Sequence, residues 1–245
     1  FQEELPAWDF RLKNVLSISA SGHKFGESCI GTGWIVWRQR ENLSDHVAIS
    51  VCYLGGMGES YNLNFSRPAS GIYVQYYKFL RYGISGYRKI CDHMMTHAHK
   101  IREGLGKMKF EGKARFTILD DGDKNCLPVV TAMLNPECNF EYDDIDLQHA
   151  ISEHNWYVSG YKMNFEDPIT KQDKPIFTDQ DGSKTMFRVV VKNNINAIMV
   201  DNLIDSFGKT LEMLDSIEFK NKSNGDFKGI HRKKHLSSKH LCHVC

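Results

Sequence analysis

The stretch Ser17-Ile18-Ser19-Ala20-Ser21-Gly22-His23-Lys24 carries the sharpest chemistry in the sequence. A lysine becomes a covalent catalyst when it is held off bulk water and can be neutral, because the free amine then condenses with an aldehyde to a Schiff base. The apolar and small residues alternating over 15–21 read as a short strand, and 22–26 as a glycine-flanked turn. Lys24 is therefore expected on a small-residue turn directly after a buried strand. Ser21 and the backbone around Gly22 can donate to a phosphate, as glycine-rich turns do, and His23 adds a donor or a charge. Lysine is mostly a solvated residue, so the pattern alone leaves a plain surface turn open.

The elements that must position this turn follow from periodicity. Trp34-Ile35-Val36-Trp37 is a continuous apolar run, short enough for a buried strand, and 47–64, with glycines at 55, 56 and 58, reads as a long loop with strand pieces. From 71 to 107 the spacing is helical. Ile72, Gln75, Tyr76, Phe79 and Leu80 form one stripe, and Tyr87, Ile90, Met94 and Ile101 continue it. Strands are expected over 115–119, 127–134, 156–163 and 186–191, with a short helix over 144–155. Residues 195–216 form an amphipathic helix with Met199, Leu203, Phe207, Leu211 and Leu214 on its apolar side. This alternation suggests a compact α/β domain in the second half.

At 245 residues, with 41% hydrophobic and 25% charged residues, the chain has the composition of a folded globular protein rather than a disordered or collagen-like one. A net charge of +1 gives no reason to expect nucleic acid or an anionic membrane surface as partner. No apolar run approaches the ~18 residues of a membrane span. The first residues lack a signal-peptide pattern and a starting methionine, so the chain reads as part of something longer. Seven scattered cysteines, an odd number, point to free thiols in a reducing, cytoplasmic setting.

Ser17-Ile18 followed after five residues by Lys24 resembles the cofactor-lysine signature of the group II pyridoxal-phosphate decarboxylases. The similarity extends to Trp8-Asp9-Phe10-Arg11-Leu12, 31–38, Tyr53-Leu54-Gly55-Gly56, Asn64-Phe65-Ser66-Arg67-Pro68 and 75–81. Five such blocks, in order and at family-like spacing, resemble the glutamate decarboxylases within that family. The resemblance implies a fold-type-I α/β architecture. Its parts would be a partial cofactor-binding large domain (1–105, with the long connecting helix), a small α/β C-terminal domain (106–216) and a flexible basic tail (217–245). It implies pyridoxal 5'-phosphate as cofactor, L-glutamate as substrate, and 4-aminobutanoate and carbon dioxide as products. Lys24 would form the Schiff base, while Ser21 and His23 would contact the cofactor phosphate from the same subunit. Phe65 and Ser66 would reach the phosphate of a neighbouring subunit, placing the active site at the interface of a homo-oligomer. Tyr53 would lie on a closing loop and protonate the carbanion carbon, and Arg188 would hold a substrate carboxylate, as its bidentate fork suits.

In such enzymes the acid that pairs with the pyridine nitrogen, the ring-stacking residue and a glycine-serine phosphate loop precede the first of these blocks, so they are expected outside residues 1–245. Another group II amino-acid decarboxylase, or a non-catalytic dimerisation partner of a full-length enzyme, therefore remains an alternative. Ser238-Lys239-His240 partly echoes the terminal segment whose histidine plugs bacterial active sites, and a histidine suits such a switch. His235, His240, Cys242, His243 and Cys245 have zinc-ligand chemistry but no second well-spaced pair, and the tail lacks the apolar stripe of a calmodulin-binding helix. His93 and His97, four apart on the long helix, are expected on a solvated face, and no metal site is expected.

Overall fold

The computed structural model describes residues 6–44, 49–53, 55–61, 67–120, 122, 126–167, 169–175 and 185–224. Phe65, Ser66 and the tail residues 225–245, with their histidines and cysteines, lie outside them. The chain divides into two compact units, Phe1–Lys89 and Ile90–Cys245.

In the first unit, β1 (Ser17–Ser21) and β2 (Gly33–Trp37) form an antiparallel pair, with Ser21 opposite Gly33 and Ser17 opposite Trp37. The segment read as a loop with strand pieces is a hairpin of β3 (Ile49–Tyr53) and β4 (Gly56–Ser60). Tyr53 pairs with Gly56, and Gly55 at φ 83° supplies the left-handed backbone that so tight a connection needs. α1 (Ser70–Lys107) begins in this unit and breaks helical geometry at Gly83 (φ 55°, ψ −170°).

The β1–β2 pair is not buried, contrary to the reading of its apolar run. Trp34, Ile35 and Val36 are 47%, 56% and 50% exposed. A continuous apolar strand is the pattern of one covered on both faces, and a two-stranded pair supplies no such cover. Among the described residues no third strand joins it.

The expected stripe of α1 is also only partly the buried one. Ile72, Tyr76, Phe79 and Leu80 are exposed, whereas Gly71, Gln75 and Tyr87 are buried and Lys78, Tyr82 and Gly86 half-buried. The buried face steps by three and four residues, as a helix demands, but it is rotated toward polar positions.

The second unit is built on a four-stranded antiparallel sheet of order β7-β8-β12-β9. Short pairs flank it: β5 (Lys109–Phe110) with β6 (Lys113–Ala114), and β10 (Asn164–Glu166) with β11 (Asp173–Pro175). β7 (Phe116–Ile118), β8 (Val129–Leu134), β9 (Ser159–Lys162) and β12 (Thr185–Val190) follow the expected strands to within a few residues. Alternation sends Val130, Ala132, Leu134, Phe187 and Val189 to a covered face and leaves Arg188 and Val190 outside. The last part of α1, α2 (Asp144–Ser152) and α3 (Ala197–Asn224) pack into the same core through Met94, Ile101, Leu105, Leu147, Phe207 and Leu211. Phe116, Phe187 and Phe207 meet there with ring centroids 5.4 to 6.2 Å apart. On α3 the expected stripe is buried at Leu203, Phe207, Leu211 and Leu214, and only at its first turn does Val200 take the buried place of the half-buried Met199.

Two polar devices order this core. Asp143 caps α2 by accepting from the backbone of Ile145 and Asp146, whose own side chain returns the bond. Arg115, buried between the rings of Phe110 and Phe140, bonds Tyr142 and the Asp215 carboxylate of α3. No helix among the described residues is long and apolar enough to cross a membrane.

Candidate functional site

β1 delivers Ser21, His23 and Lys24 to a turn that closes on itself. Gly22 N–H donates to Thr32 O (2.9 Å), Glu27 N–H to Lys24 O (3.0 Å) and Ser28 N–H to Gly22 O (3.0 Å). Ser21 and Lys24 are exposed in this chain and His23 is half-buried. Among the described residues no hydrogen bond or ion pair engages the Lys24 ammonium. His23 Nδ1 lies 3.2 Å from Thr32 O, so that nitrogen carries the proton. The ring can then offer a second N–H, from Nε2, only as the imidazolium.

One face of α1 clamps the turn from behind. Ser28 Oγ donates to Gly71 O (2.5 Å), Lys78 pairs with Glu27 (3.0 Å), and the Tyr87 hydroxyl reaches Gly26 O (3.4 Å). The hydrogen bond that Lys78 donates to the Glu27 carboxylate, and then that to Tyr82, raises the Lys78 ammonium above the usual lysine range. Burial pushes the Tyr87 phenol upward. Between these contacts the Gln75 side chain, 3% exposed, accepts from Trp34 Nε1 at 2.8 Å. Phe25 and Phe79 pack against Tyr87, with centroids 5.3 and 5.9 Å from it. Gln75, Trp34 and the Glu27–Lys78 pair were not read from the sequence as parts of this site. The signal was present as Gly71, Gln75, Lys78 and Tyr82 at helical spacing, but apolar neighbours masked it.

The other expected site residues lie elsewhere. Tyr53 ends β3 on the separate hairpin. Arg188 belongs to the second unit, on the uncovered face of β12, where its Nη2 donates to the Tyr161 hydroxyl (2.9 Å) and its guanidinium stands 5.2 Å from that ring. Within the first unit, the turn brings together Ser21, His23 and Lys24.

His97 departs from the solvated-face expectation. It is 8% exposed, neither ring nitrogen has a hydrogen-bond partner among the described residues, and burial together with the neighbouring His93 and Lys100 lowers its pKa. His93 lies 4.2 Å away, ring to ring, with Nε2 2.8 Å from Ile195 O. His93 stays exposed, as expected, and only His97 is withdrawn from water. Among the described residues no group of three or more metal-ligating side chains converges.

The fit to an aldehyde-bearing phosphorylated cofactor can be judged from this geometry. An unengaged amine, an exposed serine hydroxyl and a histidine sit on one turn, as such a group requires.

The family profile for the pyridoxal-dependent decarboxylase conserved domain matches residues 2–133. The glutamate decarboxylase of Lactococcus lactis is 34% identical over 217 residues, covering 88% of this chain and 42% of that protein. A probable glutamate decarboxylase gamma of Listeria innocua is 41% identical over 160 residues, 65% of this chain and 32% of the relative. Among solved structures, Lactobacillus brevis glutamate decarboxylase superposes with a TM-score of 0.68 at 31% identity, covering 85% of this chain and 42% of that one. The chain spans less than half the length of these relatives.

Proposed function

The chain belongs to the pyridoxal-dependent decarboxylase family, with a partial fold-type-I α/β architecture, and on that premise we propose that it is the lysine-bearing part of a glutamate decarboxylase. The reaction would convert L-glutamate to 4-aminobutanoate and carbon dioxide. The observation that carries this reading is the position of Lys24, an amine unengaged among the described residues, on a clamped glycine turn within the span that matches the family.

Pyridoxal phosphate, when bound, supplies an electron-withdrawing ring that accepts the electrons released as the α-carboxylate leaves. Lys24 would hold the cofactor through its ε-amine. Ser21 would donate its hydroxyl to the phosphate, and His23 would meet the same anion from Nε2. Arg188 would pair with a substrate carboxylate through its planar fork, with the Tyr161 ring beneath the guanidinium favouring the charge. Tyr53, at the tip of the β3–β4 hairpin, would return a proton to the substrate α-carbon. Phe65 and Ser66 would serve a neighbouring subunit, which makes a homo-oligomer the working form, and the cytoplasm is the proposed location. The relatives' greater length supports a requirement for further chain before full turnover.

Borohydride trapping tests the reading. The purified chain is mixed with pyridoxal phosphate, reduced, digested and searched by mass spectrometry. Stoichiometric adduct at Lys24, abolished in Lys24→Ala without moving to another lysine, is the expected result. Label scattered over many lysines, or no label, would overturn it in favour of a non-catalytic partner. Rates on glutamate, aspartate and aromatic amino acids, measured in a full-length protein carrying this chain, would separate glutamate from other substrates.

A further inference from the structure

We propose that Gln75 is the positioning residue for Lys24, its buried carboxamide fixing the turn backbone that aims the lysine amine at the cofactor aldehyde. The inference rests on the reading of Lys24 given above and adds a residue that takes no part in the chemistry itself.

A carboxamide taken out of water must find hydrogen-bond partners, and a polar side chain on a buried helix face is the informative exception among apolar neighbours. Gln75 resolves this by plugging the turn. Its Oε1 accepts from Trp34 Nε1 on β2, so one side chain ties α1 to the strand paired with β1. The carboxamide also occupies the space that side chains on Gly22 and Gly26 would need, since a Cβ at either position would collide with it. The two glycines flank Lys24 at equal distance in sequence, two residues before and two after. Their lack of side chains is what lets the backbone wrap a buried glutamine. Gly26 O is held on its other side by Tyr87, and Glu27 by Lys78.

The consequence for Lys24 is geometric. Its ammonium is unengaged among the described residues, so the turn backbone sets where the Cα–Cβ bond points and hence where the amine can reach. Displacing a reacting group by about 1 Å can lower a rate about 100-fold, and a loosened plug would permit such a displacement. Replacing Gln75 by leucine keeps much of the volume but removes the acceptor for Trp34. Glutamate keeps both shape and acceptor. Alanine at Gly26 meets the Gln75 carboxamide and also the Gly22 carbonyl, so it loosens the turn from both sides and serves as the upper bound for the Gln75→Leu effect.

The test uses the full chain and two readouts. One is the rate of reducible adduct formation at Lys24 with pyridoxal phosphate, and the other is amide hydrogen exchange over 22–28 compared with 90–224. Gln75→Leu and Gly26→Ala are expected to slow Lys24 labelling by about tenfold or more. Both should speed exchange over 22–28 and leave 90–224 protected. Gln75→Glu should restore labelling to within about threefold of wild type, which a merely space-filling role would not require. Unchanged Lys24 labelling in Gln75→Leu, or no rescue by glutamate, overturns the inference and leaves the functional reading standing. Scattered label in the wild-type chain overturns the functional reading, and the inference with it.

Discussion

At the centre of the second unit Phe187 is 0% exposed, whereas Ile35, in the middle of the first unit's apolar strand, is 56% exposed. Both residues sit on antiparallel strands of similar local sequence character. What differs is cover. Phe187 has strands on both sides and helices across one face, and the β1–β2 pair has only itself. The Lys24 turn is held chiefly by hydrogen bonds, one ion pair and a buried glutamine, not by a hydrophobic core. The hydrophobic core thus lies in the second unit, and the turn of the first is ordered where apolar burial is thin.

Cutting the chain tests the difference most severely. A segment of residues 90–224 should fold cooperatively, with protected amides and near-ultraviolet dichroism. A segment starting at 106 should not reach the same state, because it lacks Met94, Ala98, Ile101 and Leu105 of the core. Native-like protection in the shorter segment would show that the end of α1 is dispensable. At the level of single residues, Phe187→Ala should cost about 3–5 kcal/mol in urea unfolding of the second unit. Ile35→Ala should cost less than about 1 kcal/mol, and equal losses would erase the contrast.

Acidity separates the units more subtly. Asp144 is buried at the start of α2, accepting from Leu134 N–H and from the Thr185 hydroxyl. Burial pushes its carboxyl up to about 6 from an ordinary 3.8. Because the folded state holds this proton more tightly, the group's stabilising contribution is present at low pH and lost as pH rises through about 6. Comparing urea midpoints of wild type and Asp144→Asn should show the difference moving in wild type's favour by up to about 3 kcal/mol between pH 7 and 4. His97 works in the opposite sense. Its lowered pKa means a contribution present above 6.5 and lost as the solution is acidified. This term is common to both proteins and cancels in the comparison, so a constant difference would remove Asp144 as its source. The smallest effect is expected in the first unit, where Glu27→Gln breaks a partly exposed ion pair with Lys78. It should change stability by no more than about 1 kcal/mol, read from exchange over 22–28.

Much of this was written locally in the chain. The glycine-flanked Lys24 turn, the helical spacing of α1 and α3, and the alternation that buries Phe187 and exposes Arg188 follow from short-range sequence rules. Such rules depend only on backbone sterics and the 2.0 and 3.6 periodicities. The tertiary structure decided what those rules leave degenerate. Periodicity says that some face of α1 is buried, but not that it is the face of Gly71, Gln75 and Lys78, since the partner is a turn more than forty residues earlier. It marks the run from Trp34 to Trp37 as fit for burial, but burial requires cover that the β1–β2 pair does not receive. It leaves His97 on a polar-looking helix surface, whereas packing on the core removes it from water. The Tyr161 hydroxyl meets Arg188 only because β9 pairs with β12 in the register that sets Ser159 opposite Arg188. Local sequence specifies elements and the turn that carries the amine. Which side chains lose contact with water depends on distant surfaces meeting, and a single strand or helix does not encode that by itself.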